Sequence, residues 1–135
     1  MPLPCEFAVK SIVPAFRSLV AKELAESYNL KQEEIAELLE VTQPAISQYT
    51  RNLRGKTVDL AGVEPIRLIA KDLATALVSN SISIRQVNHK YCEACKMARE
   101  KKMMCDLHRR LDPSFNIEKC DACFLDDCYA SSNML

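Results

Sequence analysis

The chain has 135 residues, and its 18 Lys and Arg residues balance 18 Asp and Glu residues, so its formal net charge is zero. Its only two glycines, Gly55 and Gly62, are too few for glycine-rich phosphate loops or dinucleotide-binding turns, and no catalytic motif is present. We therefore predict that the protein is not an enzyme and has no small-molecule substrate.

The net charge of zero is the sum of unequal segments. Residues 1–40 carry −3, residues 41–82 carry +2, residues 83–110 carry +5 and residues 111–135 carry −4. A basic middle therefore lies between two acidic ends.

Near the start of the chain, Lys10 and Arg17 interrupt the apolar residues, so neither a secretory segment nor a membrane span is predicted. We expect a cytoplasmic protein with no membrane partner. In a reducing compartment, clustered thiols more often bind metal or carry out redox chemistry than form disulfides.

Helical periodicity predicts the elements of the first half. Apolar residues recur at helical spacing over Ile12–Tyr28, and Asn29 suits a left-handed helix end. A second helix is predicted over Gln32–Leu39. A third follows Thr42, which is a good N-cap residue, and runs to about Asn52.

The second half is also predicted to be helical, after a linker over residues 55–63. Pro65 opens a fourth helix, and Ser83 and Gln86 have the spacing of a capping box for a fifth. Residues 113–135 look irregular, and the predicted fold class is all-α. A heptad-like stripe on the fifth helix is predicted to pair two subunits, and it contains Ile84, Val87, Tyr91 and Ala98.

The segment Gln32–Arg51 has the pattern of two short helices that cross closely. Ala36 is the small residue expected at the crossing, and Ile46 and Tyr49 point back toward the core. This leaves a polar face at the start of the second helix, the end that enters the major groove in a helix-turn-helix. The residues on this face are Gln43, Pro44, Ser47 and Gln48.

These residue types suit DNA recognition. Glutamine bonds N6 and N7 of adenine together, serine serves either kind of base, and neighbouring hydroxyl and basic groups suit phosphates. An ordinary amphipathic helical hairpin without a DNA role is the alternative. The predicted DNA-binding residues are Gln32, Thr42, Gln43, Pro44, Ser47, Gln48, Thr50, Arg51, Arg54 and Lys56.

The string IAELLEVTQPAISQY resembles the Cro/C1-type (lambda-repressor-like) helix-turn-helix family, over roughly residues 10–78. The resemblance implies a bundle of four or five helices and a sequence-specific transcriptional regulator. It further implies that a homodimer binds a pseudo-palindromic operator in double-stranded DNA. In two departures from the family, Glu40 stands where glycine is usual, which predicts left-handed strain, and Lys31 replaces the usual Ser or Thr cap.

Six of the 7 cysteines follow position 91, in the order C-x2-C-x9-C-x2-H and then C-x2-C-x4-C, and three ligand groupings are open. The first is a zinc site of Cys92, Cys95, Cys105 and His108. The second is an iron–sulfur site, similar in spacing to WhiB-type regulators, of Cys105, Cys120, Cys123 and Cys128. The third joins both C-x2-C pairs: Cys92, Cys95, Cys120 and Cys123.

Six cysteines exceed the ligands of one structural zinc, so the leading prediction is a 4Fe–4S cluster that senses redox or iron–sulfur status. The cluster would use four or more of seven possible ligands, which are the six clustered cysteines and His108. A structural zinc in the same regulator is the alternative, as is a zinc interaction module without DNA binding. Lone Cys5 is predicted to be a small buried hydrophobe.

The whole chain also resembles a group of small predicted regulators, mostly archaeal, that join a Cro/C1-type domain to a cysteine-rich C-terminus. The resemblance supports two domains. Residues 1–80 are predicted to bind DNA, and residues 81–135 are predicted to bind the metal or cluster and to dimerise.

Overall fold

The computed structural model of the protein describes residues 10–51 and 60–103. Within these ranges, all regular structure is helical and no strand occurs, which confirms the all-α prediction for this part of the chain. No helix in these ranges is long and apolar enough to cross a membrane. In chain order the helices are α1 (Ile12–Ser27), α2 (Gln32–Leu39), α3 (Gln43–Thr50), α4 (Glu64–Val78) and α5 (Ile84–Glu100).

Helix α1 lies at the centre of the bundle and contacts each of the other four helices. The apolar residues that recur along α1 face inward, and Phe16 and Leu24 among them are fully buried. They pack in one core with Ile35 of α2, Ile46 of α3 and Leu73 of α4. The arrangement is that of a lambda-repressor-like helical bundle, as the sequence predicts.

Helix α5 is part of the same core. Ala98 is fully buried, and the Tyr91 ring meets the Phe16 ring edge-on, with centroids 5.1 Å apart at 79°. The predicted subunit-pairing stripe is therefore wrong for Tyr91 and Ala98, because both face helices of their own chain. Ile84 is 65% exposed and remains at the surface, whereas Val87 is half-buried and packs against the core.

The residue Leu60, which comes shortly before α4, is part of the core. Leu60 lies in the segment predicted as a linker, but it is only 2% exposed. Its carbonyl oxygen accepts a 3.1 Å hydrogen bond from the Val63 N–H in the turn that leads to α4, where Pro65 stands in the first turn as predicted. The linker prediction is wrong for Leu60, whose apolar side chain completes the core. Residues 52–59 lie outside the described ranges.

In the described part of the chain, four non-glycine residues take left-handed backbone conformations close to helix ends. The left-handed end predicted at Asn29 is confirmed, and so is the left-handed conformation predicted at Glu40. Asn tolerates this region better than other non-glycine residues do. The four residues and their φ angles are Asn29 (54°), Glu40 (55°), Asn80 (53°) and Lys102 (57°).

Candidate nucleic-acid interface

The turn between α2 and α3 begins at Glu40. The Glu40 N–H donates to the Glu37 carbonyl oxygen at 3.3 Å, and the Val41 N–H donates to the Ala36 carbonyl oxygen at 3.0 Å. This pair of bonds is a Schellman motif, which requires the left-handed residue at Glu40. Without glycine there, the turn carries a conformational cost of roughly 1–2 kcal/mol.

Thr42 begins α3 as the sequence predicts. Its backbone is extended, and its Oγ1 accepts a 3.3 Å hydrogen bond from the Ala45 N–H. Pro44 follows in the first turn, where its missing N–H costs nothing. The Thr42 hydroxyl acts as an acceptor in the cap, so its own proton is not consumed by that bond.

The starts of α2 and α3 are joined by two glutamines. Gln43 Nε2 donates a hydrogen bond to Gln32 Oε1, which brings together two residues of the predicted DNA-binding set. Gln43 and Pro44 are exposed, whereas Ser47 and Gln48 are half-buried. The polar face predicted at the start of α3 therefore has its most accessible side chains in the first turn.

At the end of α3, two further predicted DNA-binding residues are hydrogen-bonded to the backbone of the same helix. Thr50 Oγ1 donates to the carbonyl oxygens of Ile46 and Ser47, at 3.1 Å each, and Arg51 Nε donates to the Ser47 carbonyl oxygen at 3.4 Å. A phosphate contact by Thr50 would have to replace these bonds. Arg54 and Lys56, also predicted to bind DNA, lie outside the described residues.

The charge of the exposed side chains differs between α2 and α3. The exposed residues of α2 include Glu33 and Glu34 in its first turn, and Glu37. The first turn of α3 contains no acidic residue. The positive end of the α3 dipole is therefore not neutralised within its own first turn, which favours the approach of a phosphate at this end over the acidic surface of α2.

Arg17 of α1 lies between α3 and α5. Its side chain is hydrogen-bonded to those of Tyr49 and Tyr91, and its guanidinium carbon is 5.9 Å from the Tyr91 ring centroid. Burial lowers the pKa of Arg17, but these bonds outweigh it and the net pKa is raised. Burial also raises the pKa of Tyr91, against the opposing effect of Arg17. The guanidinium stays charged and the phenol stays neutral at pH 7.

This role of Arg17 is not predicted from the sequence, where the residue stands out only as an interruption of an apolar run. The available signal was its position in the helix. Arg17 is four residues after Val13 and three before Val20, so it stands beside the inward face of α1. The half-buried side chain also borders an open groove of about 610 Å³.

Two of the predicted metal ligands lie in α5. Cys92 and Cys95 are half-buried and three residues apart, so they share one side of the helix. Within the described residues, no group of three or more His, Cys, Asp or Glu side chains is close enough to hold a metal ion. The remaining predicted ligands lie outside these residues: Cys105, His108, Cys120, Cys123 and Cys128.

Comparison with known proteins identifies the same segment that the geometry does. A family model described as helix-turn-helix matches residues 22–62. The match contains all of α2 and α3 and the end of α1. No curated protein matches the chain, and no solved structure does. Residues 22–62 thus carry a helix-turn-helix, the DNA-binding module of transcription regulators.

Proposed function

We propose that this chain is a sequence-specific transcriptional regulator that reads double-stranded DNA with the start of α3. The observation that carries the proposal is the exposed Gln43 at the outward end of a helix-turn-helix, hydrogen-bonded to Gln32. That bond uses one of the two Nε2 protons of Gln43. The other proton and the Oε1 remain to bond N7 and N6 of adenine together.

The test is selection of binding sites from random double-stranded DNA, followed by fluorescence anisotropy on the selected sequence. Gln43→Ala is expected to weaken binding to that sequence by roughly 5- to 150-fold and to leave binding to unrelated DNA unchanged. Asp72→Ala, on an exposed position of α4, is the control and is expected to bind as the unaltered protein does. A selection that enriches no sequence would overturn the proposal.

The regulator acts as a homodimer on a pseudo-palindromic operator, with recognition helices about 34 Å apart. Ile84 supports this proposal, because a large apolar side chain that is 65% exposed is available to a second copy of the chain. In sedimentation, Ile84→Ser is expected to shift dimer toward monomer. Leu68→Ser is the matched control, since Leu68 is an exposed apolar residue of α4 (52%). Sedimentation as a monomer with and without DNA would contradict the dimer.

Residues 92–128 bind a metal or cluster, and an iron–sulfur cluster is the proposed occupant. The proposal is supported by two half-buried thiols on one side of α5 and by the number of cysteines beyond them. Cys92 and Cys95 would supply two ligands in the grouping that joins both C-x2-C pairs, with Cys120 and Cys123 as the other two. When bound, a cluster supplies a group that responds to oxidation and to iron supply.

Anaerobic purification with an absorption spectrum and analysis of iron, acid-labile sulfide and zinc tests the occupant. We expect a coloured protein with iron and sulfide, and loss of both in Cys92→Ser. Cys5→Ser is the control, because lone Cys5 is not a predicted ligand. A colourless protein without iron or sulfide would overturn the cluster, and stoichiometric zinc would identify the structural zinc site instead.

A further inference from the structure

We propose that Arg17 is a positioning residue for DNA recognition. It ties the recognition helix α3 to α5 through Tyr49 and Tyr91, so that a change at the thiols of α5 alters DNA affinity. The inference deepens the proposed function and rests on it for the DNA-binding role of α3.

The first link joins α1 to the recognition helix. Tyr49 lies in the last turn of α3, is only 2% exposed, and is hydrogen-bonded through its side chain to Arg17. Arg17 Nε is buried and has no hydrogen-bond partner in the described part of the chain. The hydrogen bonds of the guanidinium to the two tyrosines therefore come from its terminal nitrogens.

The second link joins α1 to α5. The Tyr91 ring is held on one side by the cation of Arg17 and on another by the edge-on contact with Phe16. Consecutive residues of α1 therefore fix one side chain of α5. Tyr91 immediately precedes Cys92 and lies about one helical turn before Cys95. A displacement of α5 at its thiols moves Tyr91 with it, because a helical turn moves as a unit.

Together the two links make Arg17 a shared partner. If Tyr91 moves away, the half-buried guanidinium loses its hydrogen bond to that hydroxyl. We then expect Arg17 to shift its position relative to Tyr49, its other hydroxyl partner. Tyr49 follows Gln48 directly and Ser47 by two residues, and both of these are predicted base contacts. The position of the DNA-reading surface thus depends on the position of α5.

A triple-mutant cycle separates this bridge from a general contribution to stability. Tyr49→Phe and Tyr91→Phe keep both rings and remove only the hydroxyls. Measured by urea unfolding, their combined effect is expected to depart from additivity by at least about threefold in the unfolding equilibrium constant. In the Arg17→Met background the same pair is expected to be additive. Additivity in both backgrounds, or equal coupling in both, would overturn the bridge.

A second cycle measures DNA affinity, using the sequence obtained by selection. The double substitution Cys92→Ser with Cys95→Ser is expected to change affinity by roughly 2- to 30-fold when Arg17 is present, and by less than about twofold with Arg17→Met. Arg67→Met, an exposed cation of α4, is the control background and is expected to preserve the full effect.

The outcomes of this second cycle are distinguishable from failure of the proposed function. An unchanged response in Arg17→Met would overturn the role of Arg17. If the cysteine substitutions change nothing even with Arg17 present, the dependence on the thiols is overturned, while the unfolding cycle still decides the bridge. Absence of specific DNA binding by the unaltered protein would instead refute the proposed function.

Discussion

Gln43 at the start of α3 donates a hydrogen bond to Gln32 at the start of α2, although the two residues lie in different helices. The bond therefore fixes the side chains of Gln32 and Gln43 relative to each other. Because Gln32 Oε1 accepts one of the two Nε2 protons of Gln43, it limits the orientations in which the Gln43 amide meets a base.

This pair predicts coupled effects on DNA binding. Gln32→Ala is expected to weaken binding to the selected sequence by a smaller factor than Gln43→Ala, since it removes the orientation of Gln43 and not the base contact itself. Adding Gln32→Ala to Gln43→Ala is expected to cost less than it does alone. Fluorescence anisotropy on the four proteins measures the coupling, and additive effects would show that the two glutamines act independently.

Glu40 predicts a gain in stability from a single substitution. Glu40→Gly is expected to raise the free energy of unfolding by about 1 kcal/mol, because the relief of the left-handed conformation exceeds the added entropy of the unfolded chain. Urea unfolding measures the change. Glu40→Gln is the control, since it removes the charge and keeps the strain. Equal stability of the two variants would place the cost of Glu40 in its charge.

The Thr42 cap predicts a loss at the start of the recognition helix. Thr42→Ala is expected to lower the free energy of unfolding by about 1 kcal/mol, because the Ala45 N–H loses its acceptor. Thr42→Ser keeps a hydroxyl and is expected to retain most of the stability. If Thr42→Ser were as unstable as Thr42→Ala, packing of the methyl group and not the hydrogen bond would account for the loss.

The burial of α5 predicts different tolerance on its two faces. Ala98→Met forces a larger side chain into a filled core and is expected to cost about 1–3 kcal/mol in thermal or urea unfolding. Ile84→Met, at an exposed position of the same helix, is expected to stay within about 0.5 kcal/mol of the unaltered protein. A neutral Ala98→Met would mean that α5 does not share the core.

Local features were predictable from the sequence because their physics is local. The Thr42 cap depends on residues within one turn, and so does the capping box in which Ser83 Oγ accepts from the Gln86 N–H and Gln86 Oε1 accepts from the Ser83 N–H. The left-handed end at Asn29 has the same origin. The left-handed Glu40 was expected from the family resemblance, which places a turn at this position.

Features that join distant parts of the chain were not predictable in the same way. The spacing of Ala98 identified a buried face of α5 but gave no sign whether its own chain or a second copy covers it. Leu60 stands among residues typical of a loop, so its burial in the core is seen only once the helices are in place. Arg17 of α1 contacts Tyr49 of α3 and Tyr91 of α5, and the periodicity of a single helix does not predict contacts with other helices. The domain boundary after residue 80 and the metal ligands stay predictions.

The enclosure of Ala94 and Ala98 by the helices that precede them has a consequence for how the molecule opens. Slowly exchanging amide protons of α1 and α5 are expected to become exposed in the same unfolding event, since the two helices contribute to one core. A fragment ending before α5 would expose the Phe16 edge that Tyr91 covers. We therefore expect that α5, which carries Cys92 and Cys95, is needed to keep the helices that precede it soluble.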